Sequence, residues 1–135
     1  MDVDRIMQQM TARGWRAAGP PRDGAVEQIE REFDCTLPAD YRRYLVQVGG
    51  GEALAPESYT GLWSAAGVIT LNRRLKIPWN FPHLLGIGND GFLTYVIDFR
   101  GQQPVIASLG LSSSTWDDVV TESDTFAEWL ERRLP

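Results

Sequence analysis

The 135-residue chain holds one cysteine (Cys35), one histidine (His83) and one lysine (Lys76). A single thiol excludes an internal disulfide framework and any multi-cysteine metal site. A single imidazole excludes a two-histidine zinc site. No apolar run approaches the roughly 18 residues that a membrane helix needs. The start, Met1-Asp2-Val3-Asp4, is acidic, whereas a signal peptide has a basic start and an apolar core. These absences predict a soluble, cytoplasmic protein without metal, cofactor or membrane role. What is present is ordinary globular composition: 43% hydrophobic and 23% charged residues in one domain's length of chain. A chain of this size buries about two-thirds of its unfolded surface and needs no staple to hold a core.

Positive charge is missing from one stretch. Between Gly101 and Glu131 there is no Lys or Arg, while Asp117, Asp118, Glu122, Asp124, Glu128 and Glu131 fall there. The net charge is −5, and most of the excess lies in this stretch. Such a local field repels nucleic acid and attracts basic proteins. The plainer alternative is a solvated face next to a well-capped helix. Five tryptophans are present. Trp15 and Trp129 accompany helical stripes and belong to the core. Trp63, Trp79 and Trp116 fall in loops or at strand ends, where an exposed ring makes a strong contact anchor.

The apolar spacing predicts helices over Val3 to Arg13 and Gly24 to Asp34, the second capped by Asp23, and another opening at Pro38. Gly49-Gly50-Gly51 ends the third. Tyr59 to Trp63 reads as a short strand, Val68 to Leu75 as either a helical turn or a strand, and Pro78 to Pro82 as extended or turned. Strands follow over Leu84 to Ile87, Phe92 to Phe99 and Val105 to Leu111, with Asp118 to Thr121 as a short edge strand. In the second of these, Leu93, Tyr95, Ile97 and Phe99 form the buried set. Ser112 to Ser114 is a loop. Thr125-Phe126-Ala127-Glu128 is a capping box opening a last helix. The order predicts an α+β fold, an antiparallel sheet covered on one face by helices.

Three motifs invite a chemical reading. Gly86-Ile87-Gly88-Asn89-Asp90-Gly91 fits G-x-G-x-x-G, but a dinucleotide site needs that motif to open a helix, and here it opens a strand. The better reading is a strand–turn–strand with Asn89, Asp90 and Gly91 at positive φ. His83 has no nucleophile and acid tied to it at sequence level. Cys35 has no local feature that lowers its pKa. No catalytic residue is assigned.

Ala25 to Phe33, Leu37-Pro38-Ala39-Asp40-Tyr41 and Gly49-Gly50-Gly51 together resemble the SUKH superfamily, the Smi/Knr-type proteins. Leu85 to Gly91 leading to Asp98, and Thr125 to Leu130, resemble that family's strand hairpin and closing helix. The resemblance implies a single domain over 1–135, with an N-terminal helix and connector over 1–22 and the family-like core over 23–135. It implies no enzyme activity and no cofactor. It also implies a cytoplasmic immunity protein of bacterial competition that binds a cognate toxin domain as monomer or homodimer. The alternative is a regulatory adaptor with another protein partner. The expected partner-binding residues are Trp116, Asp117, Asp118, Glu122 and Asp124, with Trp63 and Trp79 as a second aromatic site.

Overall fold

The computed structural model describes residues 2–55, 58–110 and 115–135. Leu111 and the Ser112–Ser114 loop lie outside them. The described elements run α1 (Val3–Gln9), β1 (Trp15–Ala17), α2 (Ala25–Glu32), α3 (Ala39–Gln47), β2 (Gly51–Ala55), β3 (Ser58–Leu62), α4 (Ala65–Leu75), α5 (Ile77–Asn80), β4 (Leu84–Asn89), β5 (Leu93–Asp98), β6 (Val105–Gly110), β7 (Val120–Ser123) and α6 (Phe126–Arg133). Among the described residues the strands form one seven-stranded antiparallel meander in the order β1 to β7. The α+β architecture is as expected.

The main core lies between the sheet and the helices. Leu85, Ile87, Tyr95, Ile97 and Ile106 of the sheet meet Ile6, Ile29, Tyr41, Leu45, Val68 and Trp129 of the helices. A smaller cluster fills the opposite face, where Ile77 and Phe81 cover Leu84, Val96, Ala107 and Leu109. Tyr95 and Ile97 are buried, while Leu93 and Phe99 are half-buried. Thr94, Val96 and Asp98, on the opposite face of β5, are buried as well, so the central strand is enclosed on both sides.

Several local expectations change. Gly24, not Asp23, caps α2. The chain turns there, with Ala25 N–H donating to Arg22 O, and Gly24 takes φ 84°, a left-handed value that favours glycine. The Pro78 segment is the short helix α5, because a proline in the first turn loses no hydrogen bond the helix needs. Val68 to Leu75 resolves as helix, with Ser64 Oγ accepting from Gly67 N–H at 3.1 Å. α1 ends at Gln9, and the following residues turn into an edge strand holding the buried Trp15. The last edge strand begins at Val120 after a 3₁₀ turn over Trp116–Asp118.

The glycine-rich turn also differs. Gly91 alone takes positive φ there, at 94°. Asn89 and Asp90 act through their side chains: Asn89 Oδ1 accepts from Gly91 N–H at 2.9 Å, and Asp90 Oδ1 accepts from Phe92 N–H at 2.8 Å and Leu93 N–H at 2.7 Å. Gly88 lies against β3, where a Cβ would come within 2.1 Å of Gly61 O. The fold itself uses the spacing that mimics a nucleotide motif.

Candidate partner-binding surface

Asp98 ends β5, is buried, and accepts from Arg100 through its backbone N–H at 2.9 Å and its Nη2 at 2.7 Å. Burial raises a carboxyl, but the bonds and charge of Arg100 outweigh it and hold Asp98 below the usual carboxylate range. The Arg100 guanidinium in turn lies 4.2 Å from the ring centre of Trp116. Trp116 meets Phe81, the residue that caps the C-terminus of α5, edge-on, with centroids 5.1 Å apart at 90°. The ring is thus anchored from two sides, yet still 37% exposed.

Asp117 and Asp118 follow on the 3₁₀ turn and face solvent, with Thr115 Oγ1 donating to Asp118 at 3.2 Å. Next comes β7. Ala107 pairs with Thr121 and Ile106 with Ser123, so Glu122 is an extra residue in a bulge. Its backbone carbonyl accepts from Arg132 at 2.6 Å, and its carboxylate pairs with Arg133. Glu122 therefore ties β7 to α6, and only part of the acidic stretch presents free charge. Asp124 is exposed and lines a cleft of about 680 Å³ with Asp40, Pro104, Val105, Ile106 and Phe126.

The structure brings Trp116, Asp117 and Asp118 together and leads through β7 to Asp124. Trp79 stands 62% exposed on α5, the helix capped by the Phe81 that supports Trp116. Trp63 is half-buried and packs against both core clusters, a position set by the fold. Sequence reading missed several exposed apolar side chains, among them Val120 at 54%, Leu54 at 61% and Phe92 at 84%. Phe92 directly follows the Asn89–Gly91 turn, the one signal that it would project outward.

The motif Leu37-Pro38-Ala39-Asp40-Tyr41 has a structural use. Asp40 Oδ2 accepts from Ala127 N–H at 2.9 Å and so caps α6 from another helix. Thr125 Oγ1 accepts from Glu128 N–H at 3.1 Å, the threonine half of the capping box. Tyr41 and Phe126 pack edge-on, 5.1 Å apart.

Cys35, Asp34 and His83 share a cavity of about 140 Å³ with Phe33, Leu85 and Phe99. Burial, with Glu30 and Asp34 nearby, pushes the Cys35 thiol up to about 11, away from a nucleophile's range. Among the described residues no three His, Cys, Asp or Glu side chains are grouped to hold a metal ion, and no helix is long and apolar enough to cross a membrane.

The model of the SMI1 / KNR4 family (SUKH-1) matches residues 20–132. No curated protein matches the chain.

Proposed function

Because the chain belongs to the SMI1 / KNR4 family (SUKH-1), we propose that it is a non-catalytic protein-binding module, an immunity protein that binds and neutralises a cognate toxin. The observation that carries this is the surface from Trp116 to Asp124. An aromatic ring anchored by Arg100 and Phe81 stands beside Asp117 and Asp118, and Asp124 borders the 680 Å³ cleft. An aromatic contact beside same-sign charge suits a basic protein: charge steers the encounter, and the ring slows release. The supported, part-exposed tryptophan favours a contact surface over a merely solvated edge.

The test is co-purification of the tagged chain with the product of the adjacent gene, followed by a toxicity assay with and without the chain. Stoichiometric capture and loss of toxicity support the reading. Capture of a harmless partner assigns an adaptor role instead. Multiple turnover of a substrate by the chain alone overturns it.

A further inference from the structure

The meander ends in two outer strands, β1 and β7. An outer strand offers unpaired N–H and C=O groups to another chain, and proteins usually blunt it with Lys, Pro, a bulge or short length. β1 is three residues long and carries the exposed Arg16 at its centre. β7 has no Lys, Arg or Pro. Its bulge and the Arg132 contact occupy only its second half, at Glu122 and Ser123. In the first half, Val120 and Thr121 are exposed, and no strand lies beyond them among the described residues.

We propose that the Val120–Thr121 edge of β7 takes up an extended, basic segment of a partner protein as an eighth strand. This inference rests on reading the chain as a protein-binding module and names how that surface engages its partner. Charge selects the occupant. Asp117 and Asp118 precede the open edge and Asp124 follows it, all three exposed, while the two cations beside β7, Arg132 and Arg133, are engaged by Glu122 and Ser123. Backbone pairing supplies the contact, and alternate basic side chains of the added strand meet the acids at its two ends. Exposed Val120 gives an apolar side chain of that strand a neighbour.

The experiment uses the full chain and a synthetic peptide, acetyl-Lys-Val-Lys-Val-Lys-Val-amide, with a second peptide of the same sequence N-methylated at every residue. The methylated peptide keeps every charge and loses the donors that pairing needs. Binding is followed by amide chemical shifts and hydrogen exchange. The expected result is slowed exchange at the one of Val120 and Thr121 whose N–H points away from β6, shifts centred on β7, and about tenfold weaker binding of the methylated peptide. Equal binding of the two peptides, shifts confined to Asp117 and Asp118, or no binding overturns the inference. The same exchange measurement is made on the complex with any co-purified partner. A bound partner that leaves that N–H exchanging freely overturns the strand addition while the protein-binding reading stands. Peptide protection without any captured protein partner does the reverse.

Discussion

The side-chain amide of Asn72 pairs with both backbone groups of Gly86: Nδ2 donates to Gly86 O at 2.8 Å and Oδ1 accepts from Gly86 N–H at 2.7 Å. β3 pairs with β4 only at Gly61–Asn89 and Leu62–Gly88. Where β3 leaves, Asn72 of α4 takes over as a strand would, and Asn72 itself is fully buried. Gly86 admits this approach because a Cβ there would come within 2.7 Å of Ile77 Cδ1 and 3.2 Å of Asn72 Oδ1.

Asn72→Leu leaves a donor and an acceptor of β4 buried and unpaired. At about 1–3 kcal/mol for each such group, the expected loss is roughly 2–6 kcal/mol. Urea unfolding followed by circular dichroism measures it. Asn72→Asp keeps the acceptor but buries a carboxylate, and should lose more at neutral pH than at pH 4. A change under about 0.5 kcal/mol for Asn72→Leu would show that water or neighbouring groups satisfy Gly86.

How much of this was legible in the sequence follows from the range of the interactions. The stripe in α2, the alternation along β5 and the Thr125 cap are local patterns, and each produced its element. β1 has only three residues, Trp15–Ala17, and is a strand because β2 pairs with it through Trp15–Ala53. Three residues carry no period. α5 was misread because Pro78 signals a break wherever it falls, while a first helical turn tolerates it. Of the candidate surface, the acidic stretch was readable as charge. The fate of Glu122 was not, because its partner Arg133 comes from the next helix and its place in the bulge depends on the register with β6.

The enclosure of β5 on both faces gives a second expectation. Ile97 faces the main core and Val96 the smaller one, and both are completely buried. Ile97→Ala should cost roughly 2–5 kcal/mol. Val96→Ala removes fewer atoms and should cost about 1–3 kcal/mol. A neutral Val96→Ala would mean that the cover formed by α5 opens readily. Thermal unfolding of both variants decides it.

Asp98 supplies a pH dependence. Its carboxyl is held low in the folded chain by Arg100 against the opposing effect of burial. The stabilisation is therefore complete above the unfolded carboxylate value of about 3.9 and disappears as pH falls through the lower folded value. Asp98→Asn should destabilise by about 1–3 kcal/mol at pH 7. The gap between the two proteins should narrow below about pH 4. A gap that stays constant down to pH 3 would show that Asp98 acts through shape alone.

Cys35 tests the shared cavity. With its thiol pushed up to about 11, the thiolate fraction at pH 7.5 is roughly 100-fold below that of an ordinary cysteine. Alkylation by iodoacetamide should be correspondingly slow and should rise about tenfold for each pH unit between 7 and 9. Rapid alkylation at pH 7 would mean that the cavity opens or that a nearby cation stabilises the thiolate.

The partner surface separates steering from anchoring. Asp117 and Asp118 are exposed and lie outside the core, so reversing both to lysine should leave the fold intact by circular dichroism. Association with a basic partner should slow several-fold at low ionic strength. The difference should shrink as salt shortens the Debye length below about 8 Å. Trp116→Ala acts at another stage. It removes the ring between Phe81 and Arg100, so dissociation should accelerate while association changes little. Because that ring also covers the smaller core, the variant should lose some thermal stability. Trp79→Ala is the matched control, since Trp79 is 62% exposed and should unfold like the parent. Surface plasmon resonance against the co-purified partner at two salt concentrations gives both rates. Unchanged affinity for the double reversal, with the fold intact, would remove the acidic edge from the interface. A dissociation rate altered by Trp79→Ala alone would place the contact on α5 instead.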